Sequence, residues 1–171
     1  MSRGVIESAA LDAMARGWAV FPLRGKLPAT THGVLDASTE ERLASIWFER
    51  HPSRGVGLAT GQRSGVWALD LDSEDAAKGW AAMQNEHGGR IRTVVSRTKR
   101  GYHLFFKMPT NGTDVRNSAG RIGDGIDVRG SGGYIVLPPS PHPEGGVYRW
   151  AKGRSPNEIE VVDTPDWPRH S

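Results

Sequence analysis

Three short apolar segments, each with a reactive side chain on alternate positions, constrain the fold of this chain most strongly. Residues 66–72 read Val-Trp-Ala-Leu-Asp-Leu-Asp, residues 101–106 read Gly-Tyr-His-Leu-Phe-Phe, and residues 125–130 read Gly-Ile-Asp-Val-Arg-Gly. Successive side chains of a β-strand point to opposite faces. Each segment therefore predicts a strand that buries one face and carries Asp or His on the other.

Helical patterns alternate with strand patterns early in the chain, and strands dominate later. A first helix is predicted from Ser2 to Gly17, a second from the capping-box pair Ser38 and Glu41, and a third from Ser73. Strands are predicted at 18–23, 55–60, 66–71, 93–96, 102–107, 125–128, 134–137 and 147–150. Residues 111–123 are polar and Gly-rich, and no strand is predicted there. This order indicates an α+β (mixed α/β) domain in two layers, with helices packed on a mainly antiparallel sheet.

The chain has the size and composition of a single folded domain. It contains 171 residues, of which 37 % are apolar and 24 % charged. We predict the domain over residues 1–150, followed by a C-terminal extension or linker over 151–171. There is no apolar run of ~18 residues that could span a membrane and no signal peptide. We therefore expect a cytoplasmic protein without a membrane partner.

The ligand types available for a metal are limited. The chain has no cysteine, which excludes disulfides and thiolate zinc sites, so no zinc is expected. Its six histidines are scattered and form no His-x-x-x-His pair. A catalytic metal would then be a hard cation held by oxygen atoms, such as Mg²⁺ or Mn²⁺.

Asp70 and Asp72 are the first candidate site residues. On a strand they point the same way, about 7 Å apart. Two such carboxylates repel each other unless a cation lies between them, which favours a metal site. The alternative is that Asp72 caps the helix beginning at Ser73 while Asp70 is merely exposed.

His103 is the second candidate, and it lies in a basic part of the chain. Residues 89–129 contain nine Arg or Lys against three Asp. Arg97, Lys99 and Arg100 precede His103 and would surround it with positive charge, which suits a phosphate-bearing ligand. A half-buried structural histidine beside solvated basic residues is the competing interpretation.

Asp127 and Arg129 are the third candidates. Alternation buries Ile126 and Val128 and turns the acid and the base to one side. The pair could be a simple salt bridge, or a third metal ligand beside an arginine that clamps phosphate. If all three strands lie in one sheet, the carboxylates could serve two-metal phosphoryl transfer.

The three motifs, in this order, resemble those of the archaeo-eukaryotic primase superfamily, in particular its bifunctional primase-polymerase branch from phage and plasmid replication proteins. The resemblance covers roughly residues 5–150. It extends to Gly57-Leu58-Ala59-Thr60-Gly61, to residues 132–140 (Gly-Gly-Tyr-Ile-Val-Leu-Pro-Pro-Ser), and through Pro141-His142-Pro143 to Tyr148-Arg149-Trp150.

This resemblance implies an RRM-like catalytic core and a template-directed DNA primase/polymerase. Asp70, Asp72 and Asp127 would hold two Mg²⁺ or Mn²⁺ ions, and His103 would contact the phosphates of an incoming NTP or dNTP. Arg97, Lys99, Arg100 and Arg129 are the further candidate nucleotide contacts. Single-stranded template and primer, and a downstream helicase domain of the same polypeptide, are the implied partners.

One departure and two alternatives accompany this interpretation. Many relatives have a smaller residue where Lys99 and Arg100 stand, which affects the predicted nucleotide pocket. A non-catalytic module with a primase-like fold would bind single strands in a salt-dependent way without metal. A sugar-nucleotide transferase, in which Asp-x-Asp also holds a metal–nucleotide complex, is the other alternative.

Overall fold

The computed structural model describes residues 3–167, which form the predicted α+β fold. The strands are divided between two sheets, and helices cover them. The helical elements are α1 (Val5–Ala15), a 3-10 turn (Gly33–Asp36), α2 (Arg42–Ala44) continuing into a π-turn (Ser45–Glu49), and α3 (Glu74–Glu86). The N-cap position of α1 is Gly4, and Ser2, the predicted cap, lies outside the described residues.

The large sheet has the order β10-β5-β6-β4-β8-β7, and all of these neighbours are antiparallel. A short strand, β11, pairs in parallel with β6. The strands are β4 (Val66–Leu71), β5 (Val95–Arg97), β6 (Tyr102–Lys107), β7 (Ser118–Gly123), β8 (Ile126–Arg129), β10 (Arg149–Trp150) and β11 (Val162–Asp163). All three motif strands are therefore in one sheet, with β4 between β6 and β8.

The small sheet has the order β2-β1-β3-β9, also antiparallel. Its strands are β1 (Val20–Arg24), β2 (Leu27–Pro28), β3 (Gly55–Ala59) and β9 (Tyr134–Leu137). Ser140, which follows β9 and the cis Pro138–Pro139 bond, is fully buried, and its Oγ accepts a hydrogen bond from the Val56 N–H at 2.8 Å. The Pro-Pro-Ser motif thus fastens the end of β9 to β3.

Alternation sorts the side chains of the large sheet between two cores. Ala68 and Phe105 belong to a cluster shared with the small sheet and α1, whereas Leu69, Leu71 and Phe106 belong to a cluster under α3. Asp70 and His103 alternate with the second set and therefore lie on the face turned toward the small sheet. The candidate site is consequently placed between the two sheets.

Two local predictions are wrong. The capping box at Ser38 does not form, because Ser38 pairs with Val20 in an isolated bridge and its Oγ accepts from the Glu40 N–H, while α2 begins at Arg42. Residues 111–123, predicted without a strand, contain β7. Its side chains are mostly exposed, so it lacks the apolar alternation by which strands are recognised.

The described part of the predicted C-terminal extension, residues 151–167, packs against the rest of the chain. Ile159 and Val161 lie on the cluster between the sheets, and Val162 and Trp167 lie on the cluster under α3. The Trp67 indole N–H donates to Thr164 Oγ1 at 2.8 Å. None of the helices in residues 3–167 has the length and apolar composition that spanning a membrane requires.

Candidate active site

Asp70 lies at the centre of the candidate site, in the middle strand of the three motif strands. Strand register makes it the direct partner of His103 on β6 and of Asp127 on β8. Cβ atoms of directly opposed residues are about 4.5–5.5 Å apart. Three residues separated by up to 57 positions in sequence are thereby placed side by side on one face of the sheet.

One histidine and one arginine approach the Asp70 carboxylate. His103 Nε2 lies 3.4 Å from Asp70 Oδ1, and Arg129 Nη2 lies 3.5 Å from Asp70 Oδ2. Burial alone would raise the pKa of Asp70, but hydrogen bonding and charge from His103 and Arg129 outweigh it, so that the pKa is lowered. Asp70 is therefore ionised at neutral pH.

Asp127 shares Arg129 with Asp70. Arg129 Nη2 lies 3.6 Å from Asp127 Oδ2, and Asp127 Oδ1 accepts a hydrogen bond from the Gly120 N–H at 3.0 Å. The bond to Gly120 ties the carboxylate to β7, the exposed strand beside β8. Asp127 thus has one oxygen engaged by the backbone and the other directed toward the cation that also approaches Asp70.

Asp72 lies just past the end of β4 and is exposed. Its N–H donates to the Gly125 carbonyl at 3.0 Å, and Gly125 lies so close to the Asp72 carboxylate that a Cβ there would overlap it. The N-cap of α3 is Ser73, whose Oγ accepts from the Ala76 N–H. Helix capping, the alternative predicted for Asp72, is therefore wrong.

The carboxylates of the site supply oxygen donors of the kind that a divalent cation needs. Among residues 3–167, no group of three or more His, Asp or Glu side chains stands in a metal-holding arrangement. Asp70 and Asp127 each direct one oxygen to the same Arg129 nitrogen, so both carboxylates lie beside one cationic group. This all-oxygen pair suits Mg²⁺ or Mn²⁺.

A cleft of about 460 Å³ opens above Asp70 between the two sheets. This volume is in the range of small-molecule sites. The side chains that line it include Lys26, Asp70, Asp72, Thr98, Lys99, Arg100, His103, Asn117, Arg129, Tyr134, His142 and Tyr148. Two Lys, two Arg and two Asp side chains thus face the same space, while Asp127, which contacts Arg129, is not among the residues that line it.

Of the three basic residues that precede His103, two line the cleft and one does not. Lys99 and Arg100 line the cleft, and both are held by the turn that follows His142: Lys99 Nζ donates to the carbonyls of Glu144 and Gly145, and Arg100 pairs with the Glu144 carboxylate at 3.2 Å. Arg97 does not line the cleft. Its guanidinium lies over the Tyr102 ring, 5.4 Å from the ring centroid.

Two residues with aromatic rings, His142 and Tyr148, line the cleft but were not among the site residues predicted from sequence. The ring of Tyr148 lies between His103 and His142, with centroid distances of 6.4 and 5.5 Å. Burial, with a contribution from the Asp70 charge, raises the pKa of Tyr148 to about 12. Both residues stand in the segment that carries the family resemblance, but no chemical pattern singles them out.

The protonation of His142 is affected by its burial and by neighbouring charges. Burial and the nearby charge of Lys26 lower the pKa of His142, despite the opposing charge of Glu144. Its Nδ1 accepts the Glu144 N–H at 3.0 Å. The ring is therefore neutral at neutral pH, with its proton on Nε2.

Two buried polar atoms at the site lack a hydrogen-bond partner. They are His103 Nδ1 and Ser96 Oγ, and strand register pairs these two residues directly across β5 and β6. Both side chains point to the face of the sheet that carries Asp70.

Comparison with protein-family models places the chain in the class of primase/polymerase-type nucleotidyl transferases. The chain belongs to the Prim-Pol family, described as bifunctional DNA primase/polymerase, N-terminal, whose model matches residues 10–167. A comparison with curated proteins finds no match. Membership confirms the resemblance seen in the sequence and implies DNA and nucleotides as substrates. Members of this family are generally dependent on divalent metal.

Proposed function

We propose that the cleft joins an NTP or dNTP to the 3′-hydroxyl of a primer on a single-stranded DNA template, during phage or plasmid replication. The observation that supports this most strongly is the position of Asp70, flanked in register by Asp127 and His103 at the floor of a basic cleft. Nucleotidyl transfer needs carboxylates beside a site for polyphosphate, and this cleft offers both.

Asp70 and Asp127, with Asp72 at the edge of the cleft, are the residues that would hold two divalent cations. Bound Mg²⁺ or Mn²⁺ supplies acidification of the 3′-hydroxyl and stabilisation of charge at the α-phosphate. The chain's own contribution is to keep Asp70 ionised, which the lowered pKa of that carboxyl ensures, and to hold it in a strand between two neighbours.

The basic side chains would bind the nucleotide's phosphates. Arg129 presents a planar fork that pairs with two oxygens, and it would exchange its long contacts to Asp70 and Asp127 for phosphate. Lys26, Lys99 and Arg100 face the same space from other elements. His103, which is held by Asp70 and stacked on Tyr148, would donate to a phosphate oxygen.

One observation favours a second candidate function. Arg129 already lies beside both carboxylates and offsets part of their charge, and residues 3–167 contain no assembled three-ligand metal group. A non-catalytic module that binds single strands through the basic cleft would need no more than this. The sugar-nucleotide alternative is set aside, because the family model matches almost the whole chain.

Primer extension distinguishes the two functions. The chain is incubated with a primed template, labelled nucleotides, and Mg²⁺ or Mn²⁺. The proposal expects incorporation that chelation abolishes and that Asp70→Asn reduces by at least about 10²-fold, whereas the exposed Asp12→Asn on α1 has no effect. Strand binding without incorporation under either metal supports the non-catalytic module instead.

Three finer expectations remain predictions. The division into a catalytic domain at 1–150 and an extension at 151–171 can be tested by truncation at residue 150. We expect the protein to act in the cytoplasm of a bacterial or archaeal host. A helicase domain in the same polypeptide is implied by the resemblance alone.

A further inference from the structure

Two arginines lie directly opposite each other at the edge of the large sheet. The register of β5 and β10 pairs Arg97 with Arg149, and both are exposed. Like charges in this position destabilise a sheet. Throughout residues 3–167, neither arginine forms an ion pair with a carboxylate, and the Arg97 guanidinium contacts the Tyr102 ring instead.

A groove of about 320 Å³ runs over this pair; we call it the side groove. It is lined by Arg97, Thr98, Lys99, His142, Gly145, Gly146, Val147 and Arg149, and no carboxylate side chain is among them. Thr98, Lys99 and His142 also line the cleft above Asp70. The side groove is therefore adjacent to the cleft and shares one wall with it.

Lys99 stands where the two spaces meet. Two of its N–H donors are taken by the carbonyls of Glu144 and Gly145, at 2.9 and 3.1 Å. An ammonium has three donors, so one is left for a ligand. The position of this cation is thus set by the turn, and it can contact a ligand that passes from the cleft into the side groove.

Positive charge continues beyond the arginine pair. Arg154 follows β10, its carbonyl accepts the Val95 N–H, and its guanidinium donates to the Thr93 carbonyl. Burial, and then the charges of Arg90 and Arg92, lower the pKa of Arg154, which shows that these three cations lie near one another. Strand β5 lies between Lys99 on one side and Arg92 on the other, so the cations follow one another along the edge of the sheet.

We infer that the side groove binds the phosphate backbone of single-stranded DNA as the strand leaves the cleft, with Arg97 and Arg149 each contacting one of two consecutive phosphates. This inference rests on the proposed function and adds a path for the strand to it. A nucleotide's phosphates would need one compact cluster of cations, whereas a strand needs cations in series. The cations from Lys99 through Arg97 and Arg149 to Arg92 lie in series, which is the arrangement that a strand needs.

The inference also gives Arg97 a different ligand from the one predicted from sequence. Arg97 was predicted to contact the incoming nucleotide, together with Lys99 and Arg100. Of these three, Arg97 lies outside the cleft and on the face of the sheet that carries Tyr102. Its partner in register is Arg149, which no sequence motif connected with it.

The test measures binding of a fluorescently labelled oligo(dT) strand by anisotropy, as a function of salt. Each lost phosphate contact reduces the slope of log K against log salt by about 0.7 for a single strand. The double variant Arg97→Gln/Arg149→Gln is expected to lower the slope by about 1.4. Arg97→Lys/Arg149→Lys keeps the charge and should keep the slope within about 0.3 of the unsubstituted protein.

A matched control removes the same charge elsewhere. Arg50→Gln/Arg54→Gln alters the loop before β3, away from both the cleft and the side groove, and should leave the slope unchanged. Binding of a fluorescent nucleotide without DNA should be the same in all four proteins. The inference is overturned if Arg97→Gln/Arg149→Gln binds the strand as the control does, or if it weakens nucleotide binding as much as strand binding.

Further measurements distinguish a loss of strand binding from a loss of folding or of catalysis. Thermal unfolding should show the Gln double variant at least as stable as the unsubstituted protein, since a like-charge pair has been removed. Each single Gln variant should lower the slope by about 0.7 and serves if the double variant does not fold. Strand binding is measured by anisotropy and does not require nucleotide incorporation. If the polymerase proposal fails in the primer-extension test, the binding result for Arg97 and Arg149 can therefore still be interpreted.

Discussion

Arg129 and Asp70 lie on neighbouring strands, with Arg129 Nη2 3.5 Å from Asp70 Oδ2, and the same nitrogen lies 3.6 Å from Asp127 Oδ2. One guanidinium thus offsets two carboxylates that register places side by side. A phosphate that drew Arg129 away would increase the negative charge felt at both carboxylates. Nucleotide binding and cation binding are therefore expected to support each other at this site.

Substitution of Arg129 tests that coupling. Arg129→Ala removes the resident cation, so Mn²⁺ alone should bind more tightly, while incorporation should fall by about tenfold or more because a phosphate contact is lost. Mn²⁺ binding is measured by electron paramagnetic resonance and incorporation by primer extension. The exposed Arg121→Ala on β7 is the control. Weaker Mn²⁺ binding in Arg129→Ala would contradict the coupling.

Gly101 is required by a close approach of two chain segments. A Cβ on Gly101 would overlap the carbonyl of Leu71, the residue that follows Asp70 in β4. Gly101→Ala should lower the free energy of unfolding by about 1–3 kcal/mol in urea titrations. Gly79→Ala makes the same chemical change in α3, where the space is open, and should raise it by about 0.5–1 kcal/mol. Equal effects at the two positions would show that the approach is not tight.

Ser140 is predicted to act in folding and not in chemistry. Ser140→Ala leaves the Val56 N–H buried without its acceptor, so the free energy of unfolding should drop by about 1–3 kcal/mol. Activity per folded molecule should be unchanged. The exposed Ser53→Ala should have no measurable effect on stability. A large loss of incorporation in a fully folded Ser140→Ala protein would instead place Ser140 in the reaction.

Tyr148 reports the charge of Asp70 through its ionisation. Its pKa is raised to about 12, first by burial and then by Asp70, so absorbance at 295 nm should show this phenol still protonated above its ordinary pKa of about 10. Asp70→Asn should lower the pKa of Tyr148, and Asp12→Asn should not.

The same shift predicts how stability depends on alkaline pH. The unfolded chain releases the Tyr148 proton near pH 10 and the folded protein near pH 12. The stability associated with the protonated phenol is therefore fully present below pH 10 and lost as the pH rises from 10 through 12. Urea titrations of the protein and of Tyr148→Phe over this range measure it. A similar decline in both proteins would assign the effect to other groups.

The strands and the third helix were largely predictable from local pattern. The predicted bounds of β6 and β9 agree with the structure, and α3 begins directly after Ser73, within one residue of its predicted start. These segments alternate strongly or carry a capping side chain, so neighbouring residues determine them. Ser38 has the same local signal, yet its backbone pairs with Val20, because a bridge to a distant strand outweighs a cap.

Sequence alone determined that Asp70, His103, Asp127 and Arg129 each stand on an apolar strand, on the face opposite to the apolar residues next to them in sequence, because strand alternation is a local property of the backbone. Tertiary structure decided that β4 lies between β6 and β8, and that His142 and Tyr148 close the cleft. It also set Arg97 against Arg149. These pairings join strands that are distant in sequence. They are therefore determined by the packing of whole sheets and cannot be inferred from any short stretch of residues.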